Sequence, residues 1–390
     1  MNITYRIDKN ILYIAIEGRI DASNASAAEE KIFAIKNENA GTNTVIDADN
    51  LEYISSAGLR IILRLRKEDP KLAIINVSPE VYEIFDMTGF TDMITVEKAY
   101  KKMSIEGCEF IAKGANGAVY RYDDETIIKT YFSKDALPEI QQERESARKA
   151  FILGVKTAIP YGIVRVDGGY GTLTELLDPI NLTKIICNDP INLEKPAEYY
   201  VDLLKSIHEV EATEGDFPDM REIALDWARF VSDYIPEPQA KKLYEMIADL
   251  PKTNTLLHGD YHTNNVMMQK GEPIIIDLDT LCVGHPIFEL GSMYNAALGF
   301  SEFDNEEIKK FMGYDRETSK RFWNLTIKRY LNFATDEVCK DVENKARVIG
   351  YMRLLRRTIR RMNEPYAQAK LELYRNRLIE MIDSVDTLEF

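Results

Sequence analysis

Cysteine and histidine are both scarce in this chain of 390 residues, with four of each. Cys108, Cys187, Cys282 and Cys339 lie far apart and form no CxxC, so neither a disulfide framework nor a zinc knuckle is expected, and the thiols read as reduced and mostly packed. Positive charge is also short: 49 Lys and Arg stand against 64 Asp and Glu, a formal net charge of −15. The summed field repels phosphate backbones and anionic membranes, which argues against a chain-wide nucleic-acid binder. No stretch comes near the ~20 uninterrupted apolar residues of a membrane span, and Met1 to Arg6 lack a basic segment followed by an apolar core. A cytoplasmic protein without membrane or nucleic-acid partners is expected. Composition is otherwise that of a globular chain, 45% hydrophobic and 29% charged, and too long for one core of ~100–200 residues. Two or three domains are expected, with no internal repeat.

Hydrophobic period divides the chain. Ile11–Ile16, Thr44–Asp47 and Leu72–Val77 read as strands, and between and after them Ser23–Lys36, Ser56–Lys67 and Glu80–Met87 read as helices, the last opened by Ser78-Pro79. Strand–helix alternation predicts an α/β domain over residues 1–103. Beyond Ser104 the strands come in succession, Cys108–Ala112, Ala118–Tyr122, Thr126–Tyr131, Tyr161–Val166 and Gly171–Leu176, with a charged helix from about Pro138 to Leu153. The chain then turns helical. This predicts an α+β bilobal domain over 104–390, with a strand-rich lobe at about 107–177 and a helical lobe at about 178–390. The basic run Tyr351–Arg361 has apolar residues at helical spacing and reads as a helix with a solvated basic face; a helix that binds a partner or an anion is the alternative.

Two serines stand where the second helix begins, in Tyr53-Ile54-Ser55-Ser56-Ala57-Gly58-Leu59. Serine caps a helix by accepting from its free N–H groups, and those same groups stabilise a phosphate. With Asp21-Ala22-Ser23-Asn24-Ala25 and Asp47, this stretch resembles the STAS domain of anti-sigma factor antagonists over residues 3–102. The resemblance implies a small sheet flanked by helices and a serine phosphorylated by an anti-sigma factor with kinase activity. Aligned on Ala57-Gly58-Leu59, that serine is Ser56, with Ser55 where many members have Asp. Phosphorylation would then break the contact with the anti-sigma factor by repulsion and desolvation.

Leu256-Leu257-His258-Gly259-Asp260-Tyr261-His262-Thr263-Asn264-Asn265, followed by Ile274-Ile275-Ile276-Asp277-Leu278-Asp279, carries the strongest chemical signal. Phosphoryl transfer to a hydroxyl needs a carboxylate to orient or deprotonate the acceptor and oxygen ligands for magnesium. Asp260, Asn265 and Asp277 supply these types in order, whereas a zinc site at His258, Asp260 and His262 lacks a soft third ligand. Upstream lie the glycine turn Lys113-Gly114-Ala115-Asn116-Gly117 and a lysine, Lys129, on the strand after it. No GxxxxGK[ST] occurs, so no P-loop is expected.

Taken together these residues resemble the aminoglycoside phosphotransferase and choline kinase-like family, which has the protein-kinase fold; the likeness is good over about residues 107–300. It implies ATP and Mg2+ as cofactors and a small-molecule hydroxyl as acceptor. By position, Asp260 would be the catalytic base, Asn265 and Asp277 the metal ligands, and Gly114 to Gly117 the cover over the phosphates. Lys129 would hold phosphates and pair with Glu143, Glu145 being the fallback, and Thr174-Glu175-Leu176-Leu177 would hold adenine. His258, Gly259 and His262 would shape the loop, Asp279 would be a turn residue in preference to a second carboxylate near the metal, and Glu289 stands where Asp is usual. The alternative function is an anti-sigma factor antagonist, switched at Ser56, whose kinase-like domain only binds a ligand or partner. A serine protein kinase is disfavoured by HGD in place of an HRD-type loop. The acceptor itself is not legible: Glu302, Asp304, Glu306 and Glu307 would suit a cationic one or form a solvated face.

Overall fold

The computed structural model describes residues 1–114, 116–133 and 136–390, and the chain splits into two compact units, Met1–Met103 and Ser104–Phe390. Of the described residues, no helix is long and apolar enough to cross a membrane.

In the first unit five strands lie in sequence order in one sheet: β1 (Asn2–Asp8), β2 (Ile11–Ile20), β3 (Asn43–Ile54), β4 (Ala73–Val77) and β5 (Thr95–Lys98). β1 pairs antiparallel with β2 through a turn at Lys9 and Asn10, both at positive φ, and the remaining pairs are parallel. Each parallel crossover runs through a helix: α1 (Ala25–Glu38), α2 (Ser56–Glu68) and α3 (Pro79–Met87). Leu12, Ile14 and Ile16 alternate inward on β2 and meet the helix rows Ala28, Ile32 and Ile61, Ile62, Leu65 in one core. A three-residue strand, β6 (Lys101–Met103), ends this part of the chain. The sequence reading misses β1 because only Ile3 of its seven residues is buried, and Tyr5 and Ile7 are exposed on an edge.

The second unit opens with β7 (Glu109–Lys113), β8 (Gly117–Arg121) and β9 (Thr126–Tyr131), then α4 (Leu137–Ile152), β10 (Pro160–Val166) and β11 (Gly169–Glu175). These strands are antiparallel in the order β10-β11-β9-β8-β7. Helices α5 (Leu182–Asn188), α6 (Glu194–His208), α7 (Met220–Val231) and α8 (Glu237–Ala248) follow, then four short strands, β12 (Leu256–Leu257), β13 (Val266–Gln269), β14 (Glu272–Ile275) and β15 (Cys282–Val283). β12 pairs with β15 and β13 with β14, so the loop 258–265 and the turn after Ile275 are brought to one place. Helices α9 (Ile287–Ala297), α10 (Asn305–Met312), α11 (Arg316–Tyr330), α12 (Asp336–Arg360) and α13 (Ala367–Ser384) complete the unit.

α9 is buried along ten consecutive residues, and α12 packs against it. Their approach depends on Gly291, where a Cβ would stand 2.6 Å from Ile349 Cγ2 and 3.0 Å from the Ala346 carbonyl oxygen, both on α12. Gly291→Ala is therefore expected to cost about 1–3 kcal/mol, the usual range for overpacking a dense core. Both tryptophans, Trp227 and Trp323, lie in this unit, so a lowered urea midpoint in tryptophan fluorescence is the measurement.

Candidate functional site

The loop between β12 and β13 has little regular structure, so its shape rests on side chains from elsewhere. Glu289, on α9, is fully buried and accepts from the backbone N–H of His258 at 2.5 Å and of Gly259 at 3.1 Å. Burial alone would push its carboxyl up. His208, whose Nε2 stands 3.9 Å away, and the backbone donors instead hold it below the usual carboxylate value. The Gly259 carbonyl accepts from Ser292 Oγ at 3.1 Å and from both terminal nitrogens of Arg353, at 3.2 and 3.1 Å. Gly259 has φ +83°, and a Cβ there would run into the Thr280 carbonyl, so the turn requires glycine. Tyr261, next in the loop, exchanges hydroxyl-to-carbonyl hydrogen bonds with Tyr200 of α6, at 2.7 and 3.1 Å.

His258 is buried, its Nδ1 accepting from the Asp260 N–H at 3.2 Å and its Nε2 donating to the Ile276 carbonyl at 3.0 Å. The Asp260 side chain is half exposed, with Oδ2 3.6 Å from His262 Nε2. Burial works to raise the Asp260 carboxyl, but His262 and Arg353 outweigh it and hold it low, ionised at neutral pH. Asn265 spends its Nδ2 on the Asp260 carbonyl at 3.1 Å, and its own carbonyl accepts from Ile276 N–H at 2.9 Å. Asp277 lies two residues past the end of β14 instead of on it, with left-handed backbone at φ 66°. Asn265 and Asp277 are thus tied together through Ile276.

Lys129 Nζ is 2.7 Å from Glu143 Oε1, and the Tyr131 hydroxyl donates to Glu143 Oε2 at 2.7 Å. Glu145, the fallback, is paired with Arg148. Burial works against the Lys129 charge, yet Glu143, Tyr131 and Asp277 raise it well above the ordinary lysine value. Glu143 sits on α4, which packs against the 3-10 turn Leu278–Thr280. Asp279 in that turn is exposed, while the wall behind it and the carboxylates of Asp277 and Glu143 push its carboxyl up to about 6. Negative charge is therefore in excess here, and Asn265 and Asp277 add oxygen donors only, which suits a hard cation such as magnesium. Among the described residues no group of three or more His, Cys, Asp or Glu forms a complete cage. Magnesium held by one or two side chains and by substrate phosphates does not need one.

The glycine turn joins β7 to β8, with the Gly114 N–H donating to the Gly117 carbonyl at 2.9 Å; Ala115 lies outside the described residues. Glu175 ends β11 and accepts from the Ile159 N–H at 3.1 Å. The Leu176 N–H is taken by the Glu125 carbonyl at 2.7 Å, so a base resting there would need other backbone groups of this connection. In the first unit Ser55 is the N-cap of α2, accepting from the Gly58 N–H at 3.4 Å, and Ser56 is the first helical residue, exposed.

Sequence reasoning did not find Arg353, Tyr131 or the anchoring role of Glu289. The acidic group, left open by the sequence, is resolved in part by its partners. Glu302 is not a solvated charge but accepts from the Tyr294 and Tyr351 hydroxyls and pairs with Arg377 at 3.4 Å, and Glu307 pairs with Lys370 at 2.5 Å.

The sequence profile of the phosphotransferase enzyme family matches residues 107–321, and that of the STAS domain matches residues 2–103. The N-terminal part is 30% identical over 100 residues to BtrV of Bordetella bronchiseptica, described as a candidate anti-sigma factor antagonist, covering 25% of this chain and 85% of that protein. It is 25% identical over 100 residues to the anti-sigma-B factor antagonist of Bacillus subtilis, covering 25% of this chain and 90% of that protein. Of solved structures, a thermostable mutant of the aminoglycoside phosphotransferase APH(4)-Ia, in ternary complex with ADP and hygromycin B, superposes with a TM-score of 0.50. It shares 12% identity over 72% of this chain and 96% of that one, a likeness of fold.

Removing the Glu289 carboxylate leaves the buried N–H groups of His258 and Gly259 without their acceptor and takes the nearby anion from His208, so Glu289→Ala is expected to destabilise the unit by about 3–5 kcal/mol and Glu289→Gln by less. Because its folded pKa lies below the ordinary 4.5, Glu289 contributes stability that is complete above that pH and is lost as pH falls through the folded value. Urea midpoints measured down to acid pH should therefore fall less steeply in Glu289→Gln than in the parent.

Proposed function

The chain belongs to the phosphotransferase enzyme family and carries a STAS domain of the anti-sigma factor antagonist type ahead of that domain, and from this premise we propose that residues 104–390 transfer the γ-phosphoryl group of ATP to a hydroxyl of a small molecule. The observation that carries the reading is the packing of α4 against the turn Leu278–Thr280, which sets the Lys129–Glu143 pair beside Asp277 and Asp279, with Asp260 and Asn265 tied to the same turn through Ile276. Phosphoryl transfer is mainly positioning and electrostatics, and a cation, a carboxylate base and a hard-cation site in one cleft meet those needs.

On this reading Lys129, kept cationic by Glu143, binds phosphate oxygens of the nucleotide, and the turn at Gly114 and Gly117 lies over them. Asn265 and Asp277 would hold Mg2+, which neutralises charge on the phosphates when bound. Asp260 accepts the proton of the incoming hydroxyl; the new bond runs from that oxygen to the γ-phosphorus, the bridging bond to the β-phosphate breaks, and ADP leaves. His262 and Arg353 keep Asp260 ionised and therefore able to accept the proton at neutral pH.

For the first unit we propose that Ser56 is the phosphorylation site and that its surroundings bind an anti-sigma factor with kinase activity. The support is its exposure at the first position of α2, where a phosphate of roughly −1.5 to −2 charge meets free N–H groups and costs the fold little.

Asp260→Asn is expected to lower acceptor-dependent ATP consumption by about 10²–10⁴-fold with ADP affinity retained. The check is coupled-assay turnover with Mg2+ over aminoglycosides, choline-like alcohols and sugars, beside calorimetric ADP titration; a parent protein that binds ADP yet turns over with no acceptor sinks the enzymatic reading. Ser56→Asp should weaken binding to an anti-sigma factor by at least about tenfold while Ser56→Ala does not, measured by calorimetry; equal affinities would refute the switch.

A further inference from the structure

Beside Asp260 opens a cavity of about 570 Å³, within the range of small-molecule sites, walled by α10, by α12 and by the start of α13. Its rim is basic, although the chain as a whole carries −15. Arg353 and Arg357 stand four residues apart on α12, one above the other and about 6 Å apart along the axis, and Arg361 follows at the same interval as the C-cap of the helix. The inner member, Arg353, is spent on the Gly259 carbonyl. The outer member, Arg361, is paired with Glu364 at 3.1 Å, and Lys370 on the same wall is paired with Glu307.

Arg357 and Lys310 differ. Both line the cavity and both are exposed, and among the described residues no carboxylate lies within ion-pair distance of either. The Arg357 guanidinium lies over the Phe300 ring, 5.1 Å from its centroid, a contact that orients it without cancelling its charge. The acids that would have welcomed a cationic acceptor are neutralised already: Glu302 by Arg377, Glu307 by Lys370 and Glu364 by Arg361. Among the described residues, the one carboxylate left facing the cavity without a Lys or Arg ion-pair partner is Asp260, which the transfer itself uses.

We propose that the phosphate acceptor is a small hydroxyl compound bearing an anionic group, carboxylate or phosphate, which Arg357 and Lys310 bind while the hydroxyl faces Asp260. Arg357 is one turn of α12 beyond the residue that grips the catalytic loop, so hydroxyl and anion are separated by a few bonds, and planar guanidinium geometry suits either anion. The proposal rests on the phosphotransfer reading for the role of Asp260. It goes beyond that reading in naming the acceptor's charge, and it reads the basic run as an anion-binding helix.

The test compares glycerol 3-phosphate, glycerate, glycerol, 2-amino-1,3-propanediol and an aminoglycoside. Calorimetric binding to full-length protein saturated with Mg2+ and AMP-PNP is measured, and in parallel ATP turnover. The anionic members are expected to bind at least about tenfold tighter than the neutral and cationic ones, and their order separates a phosphate from a carboxylate preference. Arg357→Ala should weaken anion binding about 10- to 100-fold, with Lys310→Ala in the same direction and Arg357→Lys retaining part; thermal unfolding confirms that each variant is folded. Cationic or neutral members binding as tightly, anion binding indifferent to Arg357→Ala, or no anion binding at all would overturn the inference. Arg357-dependent anion binding without ATP turnover would support it while counting against the enzymatic reading, so the two fail separately.

Discussion

A single buried carboxylate organises the cleft. The loop that carries Asp260 and Asn265 runs between two-residue and four-residue strands and has no ladder of its own to define it. Glu289 supplies what the backbone cannot, an anion aimed at two consecutive N–H groups, and it does so from the most deeply buried helix of the unit. An ionised group at such depth is tolerable only with partners, and His208 and the two N–H groups provide them. The same helix contributes Ser292 to the Gly259 carbonyl, so the donor and acceptor of one peptide stretch are both held from α9. Loop position, and with it the orientation of the proposed base, follows from how α9 is packed.

Much of the fold was legible in the sequence because its signals are local. Alternation on Leu12, Ile14 and Ile16 and the three- and four-residue steps of Ala28, Ile32 and Ile35 report elements without reference to anything distant. The edge strand β1 was missed for the converse reason, having one buried side chain and no alternation to read. The candidate site divides along the same line. Lys129, Glu143, Asp260, Asn265 and Asp277 were found through order and residue type. Glu289 and Arg353 lie 31 and 94 residues from the backbone groups they hold, and helical periodicity tells which face an arginine occupies but not what that face meets. The setting of Glu302 is not legible for the same reason, since its partners Tyr351 and Arg377 come from later helices.

Charge offers a second lesson in scale. A net of −15 describes the average surface and speaks to bulk encounters with polyanions. Inside a cleft, what matters is which charges remain unpaired, and there the balance differs: among the described residues the acids other than Asp260 are matched one by one, and two cations are left over. A recognition site of one sign can sit within a molecule of the other because pairing neutralises locally while the excess is spread over the whole exterior.

Helix α12 joins two properties that enzymes often keep on separate elements. Its inner arginine grips the peptide that precedes Asp260, and one turn outward another arginine lines the cavity. Any drift in the helix's register or tilt therefore moves both guanidinium groups together. Lineages that diverge in the compounds they accept would have to change side chains on a helix that is held fixed, or else rebuild the loop with it. Substitutions on the opposite wall, at Lys310 of α10 and Lys370 of α13, would leave the grip on Gly259 untouched.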